Sequence, residues 1–200
     1  MNNPEISSSA KPTGLFFGSF NPIHLGHLCI AEYMLNWGGL KEVWFIVSPQ
    51  NPLKHKPSLL SATNRLDMVR EAIKDDHRFR ASDIEFFLPQ PSYTIDTLAR
   101  LGEQYPRRNF ILIAGTDILP TLHKWKNYQI LLNDYRFLIF PRFGSDNHPL
   151  LEHPAITLLD APRMEISATF IRQSIKTGKT VKYFLPAGVY QLIEKWGFYL

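Results

Sequence analysis

Five short apolar runs constrain this chain more than any other feature. They lie at residues 15–17, 43–47, 110–114, 137–140 and 156–159, and are built from Phe, Ile, Val, Leu and a few small residues. Polar residues do not alternate through them. A strand with one wet face alternates, whereas a strand covered on both faces does not. The runs therefore predict a parallel sheet sandwiched between helices. Helical spacing fills the gaps, at 26–37, 62–74, 94–105, 117–132 with a break near Asn127, 167–176 and 186–196. Ser61 is placed to cap the second helix. Pro106 stops the third. Strand–helix alternation of this kind predicts an α/β fold, with the last two helices packed on the sheet as a C-terminal cap.

Composition narrows the class. The chain has 200 residues, 44% hydrophobic and 20% charged, which suits one globular domain. Residues 1–13 are polar and rich in Ser and Pro, so they read as a flexible N-terminus before a single domain over 14–200. The single cysteine, Cys29, rules out an internal disulfide framework. No run approaches the ~20 apolar residues of a membrane span, and the N-terminus lacks the basic and apolar stretches of a secretory signal. A cytoplasmic location is expected, with no membrane partner. The net charge of +4 suits an anionic ligand. No cluster of basic and aromatic motifs points to nucleic acid.

The chemistry concentrates after the first run, in Gly18-Ser19-Phe20-Asn21-Pro22-Ile23-His24-Leu25-Gly26-His27. In an open α/β sheet, ligands bind at the carboxyl ends of strands, often beside a helix N-terminus. His24 and His27 are three apart, so both rings can face one side of the first helical turn. Gly18 lets backbone approach a ligand, and Gly26 keeps space between the rings. Two imidazoles over a positive helix end suit a polyphosphate. Zinc fits less well, because no Cys or carboxylate stands at ligand spacing nearby.

This segment resembles the GxFxPxHxGH signature of the HxGH nucleotidyltransferases, and later segments resemble the bacterial nicotinate-nucleotide adenylyltransferase family in order and spacing. They are 49–56 ending in His55 and Lys56, the Ser92-Tyr93-Thr94 segment, Gly115 and Asp117 through Trp125, Arg142 after the fourth run, and Ile166-Ser167-Ala168-Thr169-Phe170-Ile171-Arg172. The resemblance covers about residues 14–198. It implies a Rossmann-like fold and transfer of AMP from ATP to nicotinate mononucleotide, giving deamido-NAD and pyrophosphate. It implies catalytic roles for His24, His27 and Arg172, and ATP binding by Gly18, Ser19, Phe20, Gly26, Ser167 and Thr169. It implies mononucleotide binding by Lys56, Tyr93, Thr94, Asp117, Trp125 and Arg142, with Trp125 stacked on the pyridine ring.

Nothing in the chain pairs a nucleophile with a base, which suits direct in-line transfer. Mg²⁺ is expected to arrive with ATP, with no resident metal. Asn21 and Ala168 depart from the commoner Asp and Ser of the family, and neither removes a reacting group. Thr177-Gly178-Lys179-Thr180 imitates the end of a P-loop, but Gln173 stands where that pattern needs Gly. Nicotinamide mononucleotide and phosphopantetheine are alternative acceptors, and a non-catalytic nucleotide-binding protein is the alternative class. Assembly into a homo-oligomer stays open.

Overall fold

A computed structural model describes residues 11–49, 59–144 and 147–200. They contain a six-stranded, all-parallel sheet: β1 (Thr13–Gly18), β2 (Glu42–Val47), β3 (Phe79–Ser82), β4 (Phe110–Gly115), β5 (Arg136–Phe140) and β6 (Ile156–Leu158). The spatial order is β3-β2-β1-β4-β5-β6. Six α-helices accompany it: α1 (Leu25–Trp37), α2 (Ala62–Ile73), α3 (Thr94–Gln104), α4 (Tyr128–Asp134), α5 (Ala168–Lys176) and α6 (Ala187–Trp196).

The unbroken apolar runs have the expected cause. Within the central strands β1, β2 and β4, successive side chains enter different cores. Phe16, Val43, Phe45, Ile111 and Ile113 join a core with α1, α2, α5 and α6. Leu15, Trp44, Ile46, Phe110 and Leu112 join a second core with α3 and α4 on the other face. The C-terminal pair does cap the sheet: Ile171, Val189 and Ile193 share the first core with Met68 and Val69 of α2. At Gly188 the approach is so close that a Cβ would overlap the Glu71 side chain.

Three local expectations change. Thr13, placed in the flexible leader, is buried and is the first residue of β1, paired with Glu42 and Phe110. The strand β3 has no counterpart among the predicted runs, because Phe-Arg-Ala-Ser is short and half polar, as an edge strand can be. The segment over 117–132 does break near Asn127, as expected, but its first piece is not an α-helix. Thr116–Lys124 winds as a tight 3₁₀ helix containing Pro120, which lacks an amide hydrogen. Asn127, at φ +53°, breaks the chain before α4 begins.

Arg65 of α2 binds the loops at the ligand end of the sheet. It is completely buried. Its Nε donates to the carbonyl of Leu60 at 3.0 Å, and its terminal nitrogens to the carbonyls of Ser19, Ser48 and Pro49 at 2.5, 2.8 and 2.9 Å. One planar fork thus ties the exits of β1 and β2 to the entrance of α2, a geometry a lysine cannot reproduce. Burial pulls the guanidinium down to about 10, still protonated at neutral pH. Arg65→Ala should cost ~3–5 kcal/mol in urea unfolding, because it orphans several buried carbonyls at once. Arg65→Lys should recover only part of that loss.

Candidate active site

The strand order reverses between β1 and β4, so the helices that follow these neighbours leave toward opposite faces. A crevice must open at their carboxyl ends. A cavity of about 380 Å³ lies there, bordered by Gly18, Ser19, His27, Asp117 and Arg142, with Tyr93, Thr94 and Trp125 on the same cavity. A second cleft, of about 420 Å³, sits near the amino ends of β1 and β4 and is lined by Lys11, Lys41, Arg107 and Arg108 among others. It contains no residue singled out by motif.

The first wall is the turn between β1 and α1. His24 is the N-cap of α1. Its ring stacks on that of His27 with centroids 3.7 Å apart and planes at 23°. The His24 amide donates to His27 Nδ1 at 3.3 Å, so a neutral His27 carries its proton on Nε2. His27 borders the cavity, while His24 is only 4% exposed and is not itself part of the wall. Among the described residues, His24 Nδ1 is a buried polar atom without a partner. Gly26 makes room for that ring: a Cβ there would stand 3.1 Å from its Nδ1 and Cε1. Gly18 serves a purpose the motif did not reveal, since its Cβ would meet the Phe20 ring at 2.8 Å. Phe20 itself has φ +44°, an unfavourable conformation for a large side chain. Its ring is held among Phe16, Phe45 and His27.

The opposite wall comes from β4 and β5. Gly115 ends β4, and a Cβ on it would overlap the Asp117 carboxylate and reach within 2.6 Å of Arg142 Cγ. Asp117 Oδ1 lies 4.0 Å from Arg142 Nε, and both side chains are about half exposed. Buried Thr116 accepts the Arg142 amide at 2.8 Å and so fixes where that arginine leaves β5. Tyr93 is the N-cap of α3 and Thr94 its first residue. Trp125 follows the 3₁₀ helix, its amide held by the Leu122 carbonyl at 3.0 Å.

Ser167 caps α5 by accepting the Phe170 amide at 3.1 Å. Arg172 donates to the carbonyl of Asn21 at 2.7 Å and to Thr169 Oγ1 at 3.2 Å. Arg172, Ser167 and Thr169 are not part of the cavity wall; Arg172 reaches it through Asn21, and Ala168 stands at the wall itself. Tyr199 closes this side, donating to Asn21 Oδ1 at 2.8 Å. Lys56 lies outside the described residues.

Several cavity residues went unnoticed in the sequence. Lys126 borders the cavity, with Nζ 5.1 Å from the Tyr93 ring centroid and 2.8 Å from Asp96 Oδ2. Its position directly after Trp125 was the available signal. Ala168, read from the sequence only as a departure from the family's Ser, stands at the cavity wall. Glu85 and Ser92 are buried polar residues beside the cavity. Nothing in their spacing announces burial.

Burial, with Arg142 adding repulsion, pushes the His24 imidazole down to about 4. His27 is also held well below its usual range, by burial first and then by His24 and Arg142. Both rings are therefore neutral donors or acceptors at neutral pH. Among the described residues, no three His, Cys, Asp or Glu side chains converge as a metal cage, and no helix is long and apolar enough to cross a membrane.

Residues 15–174 match the family model described as cytidylyltransferase-like. A protein of Flavobacterium johnsoniae, named a probable nicotinate-nucleotide adenylyltransferase, is 48% identical over 188 residues, covering 93% of this chain and 97% of that one. Its namesake in Cytophaga hutchinsonii is 49% identical over 180 residues, covering 90% and 94%. Among solved structures, the nicotinic acid mononucleotide adenylyltransferase of Plasmodium falciparum complexed with NaAD superposes with a TM-score of 0.80. It is 20% identical, with 94% of this chain and 97% of that chain covered. That last likeness is one of fold.

The neutral histidines make stability pH-dependent. In the unfolded chain His24 takes up a proton below about pH 6.5, whereas in the folded chain it does so only near 4. Acidification between those values favours unfolding, and the loss levels off below 4 as both states become protonated. For His24 the full effect is on the order of 3 kcal/mol. Urea unfolding across pH 7 to 4 should show this decline, and His24→Asn should make it shallower, leaving the share due to His27.

Proposed function

This chain belongs to the nicotinate-nucleotide adenylyltransferase family, and from that premise we propose how its cavity carries out the family's reaction. The chain is a nucleotidyltransferase that moves AMP from ATP to nicotinate mononucleotide, giving deamido-NAD and pyrophosphate. A phosphate oxygen of the mononucleotide attacks the α-phosphorus of ATP. The new P–O bond forms as the bond to the β-phosphate oxygen breaks, and pyrophosphate leaves. No protein nucleophile takes part, so the chain supplies alignment and charge stabilisation.

The stacked His24–His27 pair at the switch point carries this reading. The triphosphate lies against the amino end of α1, where His27 offers Nε2–H and the helix end is positive. His24 backs that ring and has an unpaired Nδ1 to satisfy. Arg172 holds Asn21, and with it the loop that bears both histidines. Two of its five N–H groups serve Asn21 and Thr169, leaving others for phosphate. Gly18, Ser19, Phe20 and Gly26 shape this half, and Ser167 and Thr169 set the start of α5 beside it.

The other half takes the mononucleotide. The amides of Thr94 and Ile95 make no hydrogen bond among the described residues and suit the pyridine carboxylate. Trp125 and Tyr93 flank the ring, Asp117 meets ribose hydroxyls, and Arg142 with Lys56 takes the phosphate. The scattered acidic groups suit an ion that arrives already bound to ATP. Mg²⁺ there neutralises phosphate charge, and the residues named above grip the phosphates and the ring. These substrates suit a cytoplasmic enzyme.

Pyrophosphate release with ATP and Mg²⁺ tests the reading. It should be fast with nicotinate mononucleotide and slow with nicotinamide mononucleotide or phosphopantetheine. Activity only with phosphopantetheine, or with none of the three, overturns it. His24→Ala should lower kcat by ~10²–10³ with folding intact. Trp125→Ala should chiefly raise KM for the mononucleotide, as expected when uniform binding is lost.

A further inference from the structure

Glu85 is a carboxyl group in an unusual place. It sits in a 3₁₀ turn, Ile84–Phe87, directly after β3, and is 2% exposed. Ser92 Oγ donates to its Oε2 at 3.0 Å and Thr97 Oγ1 to its Oε1 at 2.8 Å. Each oxygen thus has a hydroxyl partner, an arrangement in which a carboxylate can accept on both sides; Thr97 Oγ1 also lies 3.3 Å from the Tyr93 carbonyl. The backbone of the turn is held too, since Gln90 Nε2 donates to the Glu85 carbonyl at 2.9 Å. Among the described residues, no Lys, Arg or His forms an ion pair with Glu85; Lys126, on the same cavity, pairs with Asp96. A buried carboxylate with neutral partners alone is costly to maintain.

Its surroundings show what could offset that cost. Ser92 and Thr97 bracket Tyr93 and Thr94, and Glu85 borders the cavity together with those residues and Trp125. The substrate half proposed for this region is a pyridine alkylated at nitrogen, so its ring carries a fixed positive charge whatever the carboxylate does. We infer that Glu85 is a specificity-determining residue of the acceptor site: its carboxylate is the buried counter-charge for a pyridinium ring, and it holds the Ser92–Thr97 segment against that ring. This inference rests on the function proposed above.

The test compares nicotinate mononucleotide with its dihydro form, whose ring is uncharged, by equilibrium binding to the full chain. The wild type should favour the charged ring about tenfold. Glu85→Gln keeps the shape, and should weaken the charged ligand about tenfold while leaving the dihydro form within about twofold. The double variant Ser92→Ala/Thr97→Val keeps the charge and loosens the segment, so it should weaken both ligands alike and preserve the preference. Glu85→Asp should preserve it too, and covers the case in which Glu85→Gln melts without cooperativity. A wild type without preference overturns the inference, as does a Glu85→Gln variant that weakens both ligands equally or a double variant that loses the preference. Pyrophosphate release by the wild type is measured alongside. Ring preference without turnover overturns the proposed reaction and leaves Glu85's role standing; binding of neither ligand overturns both.

Discussion

The guanidinium of Arg65 is the constraint on which the ligand end of this protein depends. A parallel sheet ends in a row of loops that share no hydrogen-bond ladder, and at a switch point two neighbouring loops diverge. Something must stop them from separating. Here a single planar cation, fully buried on α2, collects carbonyls from the loop after β1, the loop after β2 and the residue before Ser61. Burying a charge without a carboxylate partner is costly, and the convergent carbonyl dipoles offset it. The histidine turn begins at Ser19, one of those carbonyls, so the spacing of the two imidazoles from the rest of the cavity is set from α2.

Much of the architecture was legible because it follows from period and burial. Strands covered on both faces must read as unbroken apolar runs, as β1, β2, β4 and β5 do; the edge strand β6 reads apolar too, although its Thr157 and Leu158 are exposed. The exception, Phe79–Ser82, is an edge strand whose arginine lies over the Trp44 ring at 4.4 Å instead of entering a core. Pairing at an edge depends on a neighbour's exposed ladder, which local sequence does not record. The break near Asn127 was legible as well, whereas the 3₁₀ winding around Pro120 before it was not.

The site was legible where glycines and histidines sit in fixed order, and illegible where a polar group acts through burial. Arg65 stands in a helix next to Leu66, where it reads as an ordinary surface arginine. Its role depends on carbonyls 16, 17 and 46 residues away. Glu85 is hidden in the same way, between Ile84 and Phe86-Phe87. Gly18 and Gly115 were visible as motif letters. The reasons for them, a phenylalanine ring over one and the Asp117–Arg142 pair over the other, exist only in three dimensions.

The hydrogen bond between Tyr199 and Asn21 spans 178 residues, and the one between Arg172 and Asn21 spans 151. A chain is synthesised from its amino end at ~5–20 residues per second. The histidine turn is therefore made well before two of its supports. The sheet can begin to pair while these partners are still inside the ribosome. The turn, by contrast, must wait for loop closures across most of the chain. The histidine turn is thereby completed only after those distant partners have been made.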